Sequence, residues 1–93
     1  MKYVVFYESA DDVAGKAPAF FAEHVARYDK YVADGSLLMI GPFADPQQDG
    51  SMAIFATRQA AEDFVSGDPF VLHGVVRGWT IKAWDEALAE EQE

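Results

Sequence analysis

Apolar positions along this chain fall into two alternating kinds of pattern. Residues 3–8 (Tyr-Val-Val-Phe-Tyr-Glu) are a β-branched and aromatic run of strand length. Residues 9–12 (Ser-Ala-Asp-Asp) then supply turn and helix-cap side chains, and Pro18 suits the first turn of a helix, where a missing N–H costs little. From residue 18 to 33 the spacing is helical. Phe21, Val25, Tyr28 and Val32 form one apolar stripe, and Phe20, His24, Arg27 and Tyr31 form the stripe beside it. Gly35 follows as a left-handed cap. Residues 36–43 read as a second strand, ended or bent by Gly41-Pro42, and the polar residues 44–50 as a loop. Residues 51–56 are a third strand. Thr57 caps a second helix over 58–66, which turns Ala60, Ala61, Phe64 and Val65 to one side. Asp68-Pro69 starts a short helical turn that Gly74 closes, and residues 75–84 form the last strand.

The order βαββαβ predicts an α+β, ferredoxin-like domain: a four-stranded antiparallel sheet with both helices on one face. A sheet covered on one face only should alternate apolar and polar positions. Here both phases are apolar: Val4 and Phe6 alternate with Tyr3, Val5 and Tyr7, and Leu38 and Ile40 with Leu37 and Met39. An apolar face left bare is a large exposed patch, which a second copy of the sheet would cover. The pattern therefore predicts a homodimer built through the sheet faces. No repeat or internal linker interrupts the chain, and the domain is expected over residues 1–85 with an acidic tail at 86–93.

Ninety-three residues make a single small domain. The absence of cysteine rules out disulfides and thiol chemistry and fits a cytoplasmic protein. The apolar run at the start is too short for a secretory signal, and nothing approaches a membrane span. A net charge of −9 argues against a nucleic-acid partner. Part of that charge lies at the end, in Asp85, Glu86, Glu90, Glu91 and Glu93, which reads as a solvated, fraying helix. An anionic small molecule would need Arg27 or Arg77 in its pocket.

With two histidines and no cysteine, the candidates for proton chemistry near neutral pH are few. His24 leads, because an imidazole can both accept and return a proton. The competing reading of His24 is a hydrogen-bonded residue at the edge of the core. Asp68 is the carboxylate that could orient it, although Asp followed by Pro is also a complete helix-start signature. Gly41-Pro42 offers either close backbone approach to a ligand or a plain strand end. Asp34 suits a solvated turn and His73 an exposed one. Tyr7, Tyr28 and Trp79 are candidates to line a cavity. Two histidines without thiolates do not suggest a metal site, and no phosphate-binding glycine loop or Gly-x-Ser-x-Gly motif is present.

Taken together, the strand Tyr3-Val4-Val5-Phe6, His24 with Tyr28, Gly35-Ser36-Leu37-Leu38 leading to Gly41-Pro42, and Asp68-Pro69-Phe70 with Gly74 resemble the YCII-related family of the dimeric α+β barrel superfamily. The resemblance spans residues 2–84. It implies a ferredoxin-like subunit dimerising through its sheet, with catalytic positions at His24 and Asp68. Tyr7, Tyr28, Gly41, Pro42 and Phe70 would then bind substrate. A few such relatives act on small cyclic or aromatic-derived molecules, among them a dehydrochlorinase of chlorinated hydroquinones. Related barrels include muconolactone isomerases and monooxygenases that need no cofactor. The resulting expectation is a cofactor-independent enzyme, using His24 and Asp68 for proton transfer in an elimination or isomerisation. The alternative is a non-catalytic dimeric module that binds a small molecule in the same pocket.

Overall fold

The computed structural model describes residues 1–88. Its elements are β1 (Lys2–Ser9), α1 (Val13–Lys16), a 3-10 turn (Ala17–Phe20), α2 (Phe21–Ala33), β2 (Leu37–Pro42), α3 (Pro46–Asp49), β3 (Ser51–Phe55), α4 (Arg58–Gly67), α5 (Pro69–Leu72) and β4 (Val76–Trp84). The strands pair antiparallel in the order β2-β3-β1-β4, with helices packed on one face, so the fold is the ferredoxin-like α+β arrangement that the sequence predicts. Thr57 caps α4 by accepting from the Ala60 N–H, and Gly35 and Gly74 close their helices with positive φ. No helix among the described residues is long and apolar enough to cross a membrane.

Register decides which side chains reach the helices. Tyr3, Val5 and Tyr7 of β1 pair with Phe55, Ala53 and Ser51 of β3, and this phase builds the core with Ala61, Phe64 and Val65 of α4. The Phe55 and Phe64 rings lie 5.4 Å apart, and Tyr31 meets both edge-on. Each fully buried phenylalanine is worth up to about 3 kcal/mol of apolar burial. The opposite phase carries Val4, Phe6, Met39, Met52, Ile54 and Trp84. Val4 and Ile54 are buried among their sheet neighbours, whereas Phe6, Met39 and Trp84 stay exposed. Both faces of the sheet are therefore apolar, and only one is covered by helices.

Three local expectations need correction. The apolar stripe of Phe21, Val25, Tyr28 and Val32 on α2 is only partly covered: Tyr28 packs on the core, Phe21 and Val32 are exposed, and His24 of the neighbouring stripe is the helix's one buried residue. The helix is rolled toward its second stripe, because Tyr31 packs on Phe55 and Phe64 while Arg27 reaches α4. Residues 44–50 are not all loop. Asp45 accepts from the Gln48 N–H and Pro46 takes the first helical position, so α3 forms by the same Asp-Pro device that starts α5. Finally, Asp85 to Leu88 are not helical, and Glu86 is tied to Lys2 at 2.6 Å. That hydrogen bond holds the Glu86 carboxyl below its usual range. Glu90, Glu91 and Glu93 lie outside the described residues.

Gly50 joins α3 to β3 and fixes how both meet β1. Its φ is +74°, and a Cβ there would sit 1.9 Å from the Tyr7 carbonyl oxygen. Gly50→Ala is expected to destabilise the domain by about 2 kcal/mol or more, read as a lowered denaturation midpoint with an unchanged slope.

Candidate functional site

A single acidic side chain organises the site. Asp68 is completely buried at the start of α5, and its carboxylate accepts three hydrogen bonds. The Phe70 N–H donates to Oδ1 at 3.1 Å, which is the helix cap expected of Asp-Pro. His24 Nδ1 lies 2.8 Å from the same oxygen, and the Tyr7 hydroxyl donates to Oδ2 at 2.6 Å. The two readings of Asp68 thus coexist in one group: it caps a helix and it holds a histidine. An ionised carboxylate can only accept, so Nδ1 of a neutral His24 carries the ring proton, and the lone pair falls on Nε2.

The imidazole is clamped. The Phe70 ring stacks on one face with centroids 3.9 Å apart, and Tyr28 and Phe64 present their edges at 5.3 and 6.2 Å. Among the described residues Nε2 has no hydrogen-bond partner. Among the described residues the fully buried unpartnered side-chain polar atom is Glu86 Oε1, so Nε2 is not sealed off from the cavity that His24 lines. Burial, the Asp68 charge and the hydrogen bond to it together hold the Tyr7 phenol far above its ordinary value, against a smaller opposite pull from Arg27. Tyr7 therefore stays protonated and keeps donating to Asp68.

The cavity measures about 490 Å³ and lies between the helix-side face of the sheet and α2. Tyr7, Tyr28, Gly41, Pro42 and Phe70, all read from the sequence as substrate contacts, are on its wall, whereas Trp79 is not. Phe21, half-exposed on α2, also lines it. The cavity wall includes segments that the sequence reading left out: Val13 and Ala14 of α1, Ala17 after it, and Pro46 and Gln47 of α3. Gln47 joins the two sides, accepting from the Val13 N–H at 2.8 Å and donating to the Ala10 carbonyl at 2.8 Å. Ser9 Oγ adds a bond to the Pro46 carbonyl. The Asp45-Pro46 pair was the available signal for this wall, since it repeats the Asp68-Pro69 pattern.

Neither arginine proposed as an anion contact reaches the cavity. Arg27 donates to the Phe64 and Asp63 carbonyls at the end of α4, where a cation suits the helix dipole, and Arg77 pairs with Glu8 on the surface. Among the described residues no lysine or arginine lines the cavity. Asp34 accepts from Ser36 N–H and Oγ in a turn, and those bonds hold its carboxyl below the usual range. His73 stacks on Phe20 at 4.3 Å, outside the site. Among the described residues no group of three or more acidic or histidine side chains is placed to hold a metal.

The profile of the YCII-related domain matches residues 1–85. The chain belongs to the YCII-related family. A comparison with curated proteins finds no match. Among solved structures, this YCII-related chain is similar to 5-chloro-2-hydroxyhydroquinone dehydrochlorinase from Burkholderia phenoliruptrix AC1100, solved in complex with 2,5-dihydroxybenzoquinone. The TM-score is 0.74 at 19% identity, covering 94% of this chain and 96% of that one. At that identity the likeness is one of fold.

Proposed function

We propose that this YCII-related protein is a small acid/base enzyme that moves a proton on a compact cyclic molecule, in an elimination or isomerisation. The observation that carries this reading is an unpartnered His24 Nε2 at a largely apolar cavity, with Nδ1 held by a fully buried carboxylate. In the reaction, Nε2 takes a proton from a ring carbon or hydroxyl. The imidazolium so formed faces Asp68, which stabilises it. The proton then returns to another ring atom in an isomerisation, or leaves with the departing group in an elimination. Each step is complete without a cofactor. Such general acid/base help is worth about 10²–10⁴-fold in rate.

The walls narrow the substrate. A cavity of about 490 Å³ has ample room for a one-ring molecule, and without lysine or arginine among the described residues of its wall it offers no cationic partner for a fixed carboxylate or phosphate. The enzyme of similar fold, whose structure holds a dihydroxylated quinone, supports a hydroxylated ring as the substrate class. The test is turnover of hydroxylated monocyclic probes, 5-chloro-2-hydroxyhydroquinone first among them. Wild-type protein should convert a probe and His24→Ala should not. If wild-type protein binds these probes with no turnover, the site is that of a binding module instead.

The uncovered apolar face supports a homodimer as the working form, in a cytoplasmic setting that the lack of cysteine fits. Phe6 and Met39 are exposed at its centre and edge. Wild-type protein should sediment as a dimer, and the double variant Phe6→Glu/Met39→Glu as a folded monomer. A wild-type monomer at every concentration would reject this arrangement.

A further inference from the structure

We propose that Tyr7 is a positioning residue of the His24–Asp68 pair rather than a substrate contact: its hydroxyl, donated to Asp68 Oδ2 at 2.6 Å, sets how strongly the pair holds its shared proton. This inference rests on the acid/base reading above and adds a third member to it. Three observations lead to it. Tyr7 is buried, and its single hydroxyl proton is committed to Asp68, so it cannot donate to a ligand even though its ring lines the cavity. Asp68 is completely buried, so water does not take up its second oxygen. The bond joins a neutral donor to an ionised acceptor at the short end of the range, the kind that is strongest in a dry site.

The consequence is electrostatic. The base form of the site is a bare Asp68 carboxylate beside a neutral His24, and the Tyr7 hydroxyl stabilises that charge. Adding a proton to the pair removes the net charge, whichever residue carries the proton. A weaker Tyr7 donor therefore makes the pair bind its proton more tightly. The other groups around the pair leave the role to Tyr7. Arg27 of α2 is occupied by the Phe64 and Asp63 carbonyls of α4 and by the Tyr31 hydroxyl. Tyr28 of α2 meets the His24 ring edge-on and makes no hydrogen bond to Asp68. From α5 the Phe70 N–H reaches Oδ1 only, and His73, at the end of α5, stacks on Phe20. β3 and β4 send core residues such as Phe55 and Val76 to this side.

The experiment is a pH titration of the His24 ring by nitrogen-15 NMR on the ligand-free full chain, comparing wild type with Tyr7→Phe. The titration midpoint should rise by about one pH unit in Tyr7→Phe, a tenfold tighter hold on the proton. On a converted probe, the acid limb of the kcat/KM profile should move the same way with KM little changed. Site-specific 3-fluorotyrosine at position 7, a stronger donor of nearly the same shape, should shift the midpoint to lower pH, and it keeps the test open if Tyr7→Phe does not fold. A midpoint that moves with neither substitution overturns the role of Tyr7. That result is separate from the acid/base reading, which fails instead if His24→Ala keeps full turnover.

Discussion

His24→Ala is expected to lower turnover of a converted probe by about 10²–10⁴-fold while the domain remains folded. The size of the loss follows from the absence of a substitute. Asp68, the nearest carboxylate, is buried with both oxygens occupied, and the Tyr7 proton is committed to it. Among the described residues no other imidazole or lysine lines the cavity, and the other carboxylate on its wall, Asp45, is engaged as the cap of α3, accepting from the Gln48 N–H. The fold should survive because the side chain removed already borders empty space, so the deletion enlarges a cavity instead of opening one inside the Phe55–Phe64 core. His24→Gln should lose as much activity, since an amide of similar reach is no base. The measurement is kcat/KM beside a thermal melt. Near-normal kcat/KM in either folded variant would remove His24 from the chemistry.

Asp68 separates stability from catalysis through two different substitutions. Asp68→Ala strands the Tyr7 hydroxyl, the Phe70 N–H and His24 Nδ1 at a fully buried position and deletes a helix cap. The expected cost is about 3–5 kcal/mol, a large share of the stability of a domain this small. Asp68→Asn keeps the shape, and asparagine caps helices about as well as aspartate, so the loss should stay within about 1–2 kcal/mol. Its amide must then choose. Its oxygen stays on the side that caps the Phe70 N–H and accepts from His24 Nδ1–H, its NH₂ turns to the Tyr7 oxygen, and the negative charge that stabilises the imidazolium is gone. The rate should therefore fall by about 10²-fold or more while the fold persists, as expected when an orienting carboxylate is lost. Denaturant titration and kcat/KM on both variants check this. Equal activity of Asp68→Asn and wild type would mean that the Asp68 charge does not support the imidazolium.

Strands were legible because each is a compact β-branched and aromatic run, and the four predicted ranges match the observed ones within one residue at each end. The face of α2 was not legible. Two neighbouring stripes both carry aromatics, and tertiary contact of Tyr31 and Arg27 with α4, not periodicity, chooses between them. His24 and Asp68 are 44 positions apart, so their contact is a property of the βαββαβ topology and its register. Locally each carries the commoner meaning, an edge-of-core histidine and a helix cap, and Asp68 does cap α5. The resemblance to a family, not the residues alone, singled the pair out. The Tyr7 hydroxyl was hidden for a further reason. Strand alternation places its ring on the helix side, but only the packing of α5 against the sheet puts a carboxylate at the end of that ring.

In the proposed reaction His24 offers an unprotonated Nε2 to a ligand in the cavity while Asp68 holds Nδ1–H. A long-range proton–nitrogen NMR spectrum of the wild-type protein at mildly alkaline pH measures this directly, before and after addition of resorcinol, a neutral hydroxylated ring that can donate to Nε2. The free protein should show the Nδ1–H tautomer, and the ligand-induced shift should be concentrated at Nε2. An Nε2–H tautomer, or a ligand that binds and leaves Nε2 unmoved, would contradict it.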